Sequence, residues 1–576
     1  MSVPRLSRAR RPRAQPASQE RVLQAEVSDT SDAAAPVPLR RGFRRGAWHR
    51  LVVTIGPEQA TALPGVGPTF DEVLGPQEQD LLLDFVFNAI GAVPPDQALQ
   101  LKDKVRLPVG GSAEVSFDFQ LLSTLDEVRI ELEVRMGQRT IQPATLVGPA
   151  ADDPSTLPEA SAIRLLRGRP LAHLSSAAAR PPLDGVVSVG GGPATPAPVA
   201  TVAQSDRISF FDTTRLKDAT RGLELLLDTI VTDDRTVTQS LEDDAAQQGL
   251  FKLALRGAQL YEAVGAQIAE ALGSDASRVQ LLLRNDSVVM PLELAYDLGA
   301  PARGATLCPN WKKALASGTC DPTFHPKADD GNAAVVCPSG FWAISKIIER
   351  QLAPESLFSE AASSFDVAAH AELTPASDSL PLLDGAVLAA SDRVPRPEFK
   401  ALRETLEHTV GRSACATSWS GWRRGIKRTR ASLLVLLSHT VKDDTGWALQ
   451  IGKADNLYVA QVNAQYVSTA EPPRLIALLL GCETVENPEE LQSFVARFRS
   501  SGASLVIGTV CGVLGERAPR VAEEIVRQLA AAAGSSSPNT AGVVMQDVRR
   551  TLLARGELTA LALAAYGDVD WRITRG

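Results

Sequence analysis

The sequence predicts an α/β chain whose carboxy-terminal third forms a doubly wound, largely parallel sheet, preceded by a small β-sandwich and a helical segment. Three observations predict it. Strand-like and helix-like stretches alternate from about residue 383 to the end, an order that builds parallel sheets. The strands there, such as ASLLVLL and RLIALLLG, are apolar without a break, as strands covered on both faces are. Before residue 148, short runs alternate apolar and polar residues between Gly, Pro and Asp turns, which suits an antiparallel sandwich. At 576 residues and 44% apolar content the chain is too long for one core and divides into several domains.

Residues 1–45 combine Arg, Pro, Ala and Ser with few large apolar groups, so a disordered basic tail is expected. Residues 46–148 supply WHRLVVTIG, LLLDFVFNA, AEVSFDFQLL and EVRIELEVRM, the strands of a sandwich expected to serve as a docking or sensing module. Residues 149–206 read either as a linker or as a hairpin pairing DGVVSV with PVATVAQ. Over 207–382 helical periodicity dominates, with Asp212 as an N-cap and LFKLALRGAQLYEAVGAQIAEAL as a long amphipathic run. A strand RVQLLLR follows, then VVMPLELAYD as a strand with Pro291 opening a short helix, then a cysteine-containing insert over 301–345. Residues 383–576 read as strand DGAVLAA, helix EFKALRETLEHTV, strand SACATS, helix WSGWRRGIKRT and strand ASLLVLL. An insert with WALQIG and LYVAQV precedes strand RLIALLLG, helix PEELQSFVARFRS, strand ASLVIGTV and further helices.

The net charge of −8 leaves no electrostatic footprint for nucleic acid, and no apolar run approaches the ~18 residues of a membrane span. The Arg-rich opening segment lacks the apolar stretch of a secretory signal, so a cytoplasmic setting is expected. Six cysteines are too sparse for a disulfide framework. No phosphate loop of the GxxxxGK[ST] kind occurs.

In a doubly wound sheet, ligands bind at the carboxyl ends of the parallel strands. Two reactive side chains stand there: His439 follows LLVLLS and Cys482 follows LIALLLG. A histidine beside a thiol can take its proton and return it to a leaving amine, and the amides of Thr440 and Cys482 can hold the oxyanion. Buried strand-end cysteines and histidines are as often structural, so spacing alone leaves both readings open. The set SHT, LLLGCET, FVARFRSSGASLVIGTV and ALAAYGDVDWRI resembles the CHAT family, caspase-like clan CD cysteine peptidases of bacteria. The resemblance is strong over 383–576 and weaker from 207. It implies a caspase-type sheet, His439 as general base and acid, Cys482 as nucleophile, and a regulated endopeptidase in conflict or defence signalling. Its partners would be a protein substrate and an activating protein, and catalysis would need no cofactor. Relatives often carry Gly after the histidine where this chain has Thr440.

In caspase-like folds the pocket for the residue before the scissile bond borrows the loop after the first strand, here SDRVPR. Asp392 would favour a basic residue and Arg393 an acidic one; Asp443, Asp444 and Glu483 add acidity nearby. Cys308, Cys320, His325 and Cys337 form a second constellation, which reads as a structural zinc site, unligated thiols or a labile disulfide. Trp419 and Trp422, three apart on one helix, are expected to pack on the sheet, and Cys415 and Cys511 to sit in the core. The rival reading is a non-enzymatic caspase-like scaffold; an esterase or transferase using the same pair ranks behind it.

Overall fold

The computed structural model describes residues 20–575 apart from 32–34, 68, 71–79, 169–180, 191–198, 205–206, 213–214, 233–237, 274, 285–288, 353–378, 383–384, 468–474, 482–487, 511–516 and 536–538. Eleven strands make one continuous sheet. In chain order they are β1 (Gly185–Gly190), β2 (Val199–Gln204), β3 (Arg207–Asp212), β4 (Arg278–Leu283), β5 (Ile347–Leu352), β6 (Ala386–Ala390), β7 (Ser413–Ala416), β8 (Leu433–Leu437), β9 (Ile476–Leu479), β10 (Leu505–Thr509) and β11 (Leu563–Gly567). Their spatial order is β3-β2-β1-β4-β5-β11-β10-β9-β8-β6-β7. β1, β4, β5 and β11 run parallel to one another, and so do β7, β6, β8, β9 and β10; the antiparallel pairing of β10 with β11 sets the two blocks in opposite directions. The predicted parallel sheet is therefore one half of a larger mixed sheet whose other half comes from residues 185–352 together with β11.

Alternation along each strand sends side chains into two cores. In β8, Leu434 and Leu436 join one cluster while Leu433, Val435 and Leu437 join the other, which is why this strand reads as unbroken apolar sequence. Helices α1 (Leu216–Thr232), α2 (Asp244–Leu260) and α3 (Ala266–Leu272) belong to the first layer, with α4 (Trp311–Ser317) beside them. Helices α5 (Arg396–Thr409), α8 (Ala518–Gly534) and α9 (Ala541–Ala554) form the second, while α6 (Trp419–Thr429) and α7 (Pro488–Ser500) return to the first.

Several expectations shift. The tail expected to residue 45 gives way to a strand at Arg21–Asp29 that pairs along its whole length with Trp48–Pro57, because RVLQAEV buries its apolar residues; residues 1–19 lie outside the described residues. The sandwich runs from there to Arg164–Arg167, as two sheets around one apolar core. Of the two readings of 149–206, the hairpin applies: β1 pairs antiparallel with β2 and joins the main sheet through β4. Asp212 is the last residue of β3 rather than a helix cap, and Pro291 precedes only a 3-10 turn at Leu292–Leu294.

Among the described residues, α9 reaches the second face of β5 only at Ile347, at the start of that strand. The sandwich packs on the rest of the second face of β4 and β5 through its strands Glu127–Met136 and Arg139–Ala151, and the seam is polar. Arg139 donates to Glu349 and Asp570, both at 2.5 Å, and lies 3.6 Å from Asp568. The Thr140 amide donates to Gln280 Oε1 at 2.9 Å, and Gln280 Nε2 donates to Glu349 at 2.7 Å. Arg284 donates to the carbonyls of Leu132 and Ala144 and lies 3.4 Å from Glu133. Burial alone would raise Glu133, but Arg135 and Arg284 hold it at about 2.

Candidate functional site

The parallel block β7-β6-β8-β9-β10 presents its carboxyl ends along one edge, and His439 stands there, two residues past Leu437 and 3% exposed. Its strand is fixed on both sides: the Ser391 amide donates to Leu437 O at 2.9 Å from β6, and the Leu480 amide donates to Leu436 O at 3.0 Å from β9. β8 pairs Leu433 with Ile476 and Leu436 with Leu479. Cys482 and Glu483 lie outside the described residues.

Past Ser438 the chain leaves the sheet and forms a hairpin of His439–Asp443 with Gly446–Ile451, continued by Asp455–Tyr458. The hairpin is held by α6. Ser418 caps that helix by accepting from the Gly421 amide at 3.2 Å, and its apolar face is Trp419, Trp422 and Ile426. Trp419 Nε1 donates to Asp455 O at 3.0 Å, Trp422 Nε1 donates to Tyr466 O at 2.8 Å, and the two rings meet edge to face at 5.9 Å. The pair thus packs on the sheet as expected and also clamps the segment that follows the histidine. At the return of the hairpin Gly452 has φ of 58°, and a β-carbon there would lie 2.3 Å from Thr417 O.

Thr440, beside the histidine, is buried, and its hydroxyl has no hydrogen-bond partner among the described residues. The same holds for Ser391 Oγ at the end of β6 and Thr509 Oγ1 at the end of β10. Buried hydroxyls without partners are uncommon in folded proteins, and three of them mark one sheet edge. Thr509 follows Leu505 and Ile507, which face the same core as Leu437 and Leu480. Sequence reasoning passed over Ser391 and Thr509; the available signal was a hydroxyl residue directly closing an apolar strand, as in VLAAS and VIGT.

Asp392 and Arg393 are exposed in the turn after β6, where the Asp392 amide donates to Gly452 O at 2.9 Å. Asp443 and Asp444 occupy the tip of the hairpin, about 13 Å or more along the strand from His439 at ~3.3 Å per residue. Asp443 accepts from Tyr458 Oη and from the Thr445 amide, which together hold its carboxyl below the ordinary range. Cys415 is exposed rather than in the core, because alternate residues of the edge strand β7 face water; Cys511 lies outside the described residues.

The second constellation does converge. One ligand atom from each of Cys308, Cys320, His325 and Cys337 lies within 4.8 Å of the others. Glu349, Asp568 and Asp570 also cluster, but the Arg139 guanidinium already lies among them and Arg278 pairs with Asp570. Among the described residues no helix is long and apolar enough to cross a membrane.

Fold and site together define an α/β protein with a buried histidine at the carboxyl edge of a parallel strand block. No family model and no curated protein matches the chain. Solved structures do. The Arg-specific cysteine proteinase gingipain R is similar at a TM-score of 0.30 and 12% identity, over 62% of this chain and 76% of that one. A complex of Porphyromonas gingivalis RgpB pro- and mature domains is similar at 0.29 and 13%, over 62% and 78%. The Saccharomyces cerevisiae separase–securin complex is similar at 0.33 and 10%, over 66% of this chain and 30% of that one. At such scores the likenesses carry no weight for activity.

Proposed function

We propose that the chain is a caspase-like cysteine endopeptidase of clan CD, similar to CHAT proteins, that cleaves a partner protein through His439 and Cys482. One observation supports the reading: a buried histidine stands just past the carboxyl end of β8, beside β9, the strand that leads in sequence to Cys482. In the proposed reaction His439 takes the Cys482 proton and the thiolate attacks the scissile carbonyl. The C–N bond breaks as His439 returns the proton to the leaving amine. Water, deprotonated by His439, then hydrolyses the thioester. The amides of Thr440 and Cys482 hold the oxyanion, and Asp392 or Arg393 reads the residue before the cut. The sandwich docks or senses a regulatory partner that releases activity, in bacterial conflict or defence signalling.

The test compares new protein termini generated by the full chain and by Cys482→Ala in the same lysate. Termini sharing one residue type before the cut, present only with the intact cysteine, support the dyad. Equal cleavage by both proteins refutes it. The buried Thr440 beside His439 is the observation that favours the scaffold reading; that reading gains if Thr440→Gly and the parent both bind a partner without cleaving it.

A further inference from the structure

We propose that Cys308, Cys320, His325 and Cys337 bind one zinc ion that staples the segment between β4 and β5. The topology builds the cage from element ends. Pro301–Leu307 and Ala333–Val336 pair in parallel, and the Cys308 amide donates to Val336 O at 2.9 Å, so Cys308 and Cys337 leave neighbouring strands side by side. α4 ends at Gly318, whose φ of 77° turns the chain back so that Cys320 returns toward Cys308. The 3-10 turn Pro322–Phe324 then presents His325.

The distances discriminate between the chemistries. The Cys308 and Cys320 sulfurs are 3.9 Å apart. Tetrahedral zinc with Zn–S bonds of about 2.3 Å requires sulfurs about 3.8 Å apart, whereas a disulfide requires about 2.05 Å. The buried Nε2 of His325 has no hydrogen-bond partner among the described residues, as a ligand nitrogen lacking its metal would. Donors face the thiols: Asn310 Nδ2 lies 3.5 Å from Cys320 Sγ, and Ser339 Oγ lies 3.2 Å from Cys337 Sγ, the kind of outer contact that orients metal ligands. The local apolar cluster is Cys308, Ala314, Val335 and Cys337, so two of its four members are themselves thiols, while Trp311, Leu315 and Val336 of the same segment pack in the first core.

Binding is redox-neutral. Three thiols release three protons, the imidazole donates its lone pair, and the centre carries one net negative charge. The role is structural, since all four positions are filled by protein. By pinning Cys337 the ion also fixes the Tyr296 hydroxyl, which accepts from the Cys337 amide at 3.1 Å, and the stretch to Ile344, whose carbonyl accepts from Arg550 of α9 at 3.0 Å.

The experiment measures metal in the full chain purified without chelator from zinc-supplemented culture. About one equivalent of zinc is expected, and Cys482→Ala should retain it, which separates this site from the proposed dyad. Titrating native protein with a methanethiosulfonate reagent and a chromophoric zinc chelator needs no variant: the exposed Cys415 reacts without metal release, and release then follows modification of the cluster. Cobalt uptake should give thiolate charge-transfer bands that weaken in His325→Ala and Cys320→Ser, each with metal affinity reduced at least tenfold. Less than a tenth of an equivalent of zinc with no cobalt uptake overturns the site, as does a Cys308–Cys320 disulfide mapped in the native protein.

Discussion

Replacing Arg139 by leucine should loosen the sandwich from the α/β sheet. Arg139 is 7% exposed at its side chain and faces Glu349, Asp568 and Asp570, which are 0%, 4% and 2% exposed, so the pairs are scarcely screened by solvent. Removing one partner of a buried pair typically costs about 3–5 kcal/mol, because the remaining charges are left without compensation. At ~1.4 kcal/mol per decade this is a shift of about a hundredfold or more in the equilibrium between docked and open seam. Hydrogen–deuterium exchange of Arg139–Ala151 and Arg278–Leu283 should accelerate by that factor, while β8 and β9 keep their protection. The deficit should also depend on pH. Burial, reinforced by Asp568 and Glu349, raises the Asp570 carboxyl above its ordinary value, against the pull of Arg139 and Arg278. A raised carboxyl favours the folded state in its protonated form, and that contribution disappears as pH rises through the folded value. Without Arg139 the shift grows, so the variant should regain part of its protection between pH 7 and pH 5. Unchanged exchange at both pH values would refute the reasoning.

Two further predictions concern single side chains. His49 lies within the sandwich, stacked on Phe119 at 5.5 Å, and burial pushes it down to about 4 against the pull of Asp29. The neutral ring is thus favoured in the folded state, and stability present above about pH 6.5 is lost as pH falls toward 4, by roughly 3 kcal/mol at 1.36 per unit. Urea unfolding of the sandwich should follow that window, and His49→Phe should flatten it. Thr509→Val keeps the shape of a side chain whose hydroxyl has no partner among the described residues, so unfolding should change by less than about 0.5 kcal/mol. Peptide cleavage should fall severalfold if the hydroxyl faces the substrate; a stability loss above ~1 kcal/mol would make Thr509 structural instead.

Most elements of residues 386–574 were legible because their burial is two-sided. LLVLL, IALL and LVIGT are strands with no exposed face, and each amphipathic helix between them carries one apolar stripe. The other half of the sheet was harder to read. β5, IIERQL, places Glu349 and Arg350 in mid-strand, a pattern that reads as solvent-exposed, yet both are buried: Glu349 meets Arg139 and Gln280, and Arg350 donates to Glu293. EVRIELEVRM misleads in the same way. Its alternation does predict a strand with one apolar face, but Glu131, Glu133 and Arg135 are buried in the seam rather than solvated. Local pattern records which residues share a face; it does not record whether water or another domain covers that face. The candidate site divides similarly. His439 was found from its place after an apolar strand, whereas the convergence of Cys308, Cys320, His325 and Cys337 depends on turns that no periodicity encodes.

The seam's chemistry also bears on the proposed sensing role of the sandwich. An apolar interface resists opening in proportion to the surface it exposes, at roughly 25 cal/mol per Å². A seam of ion pairs opens at lower net cost, because hydration of the freed charges offsets much of the attraction lost. Such a contact fixes one register when closed and yields to a partner that supplies competing charges. Replacing Arg139 and Glu349 by leucine and Asp568 by asparagine removes the central charges together and leaves the Arg278–Asp570 pair in place. Exchanging a buried ionic group for apolar side chains of similar volume is typically neutral or stabilising by about 1–4 kcal/mol. The triple variant should therefore protect the seam at least as well as the parent, where Arg139→Leu alone exposes it. If both variants open equally, the pairs do not set the docking energy, and the sandwich is held by its backbone contacts through Thr140, Leu132 and Ala144.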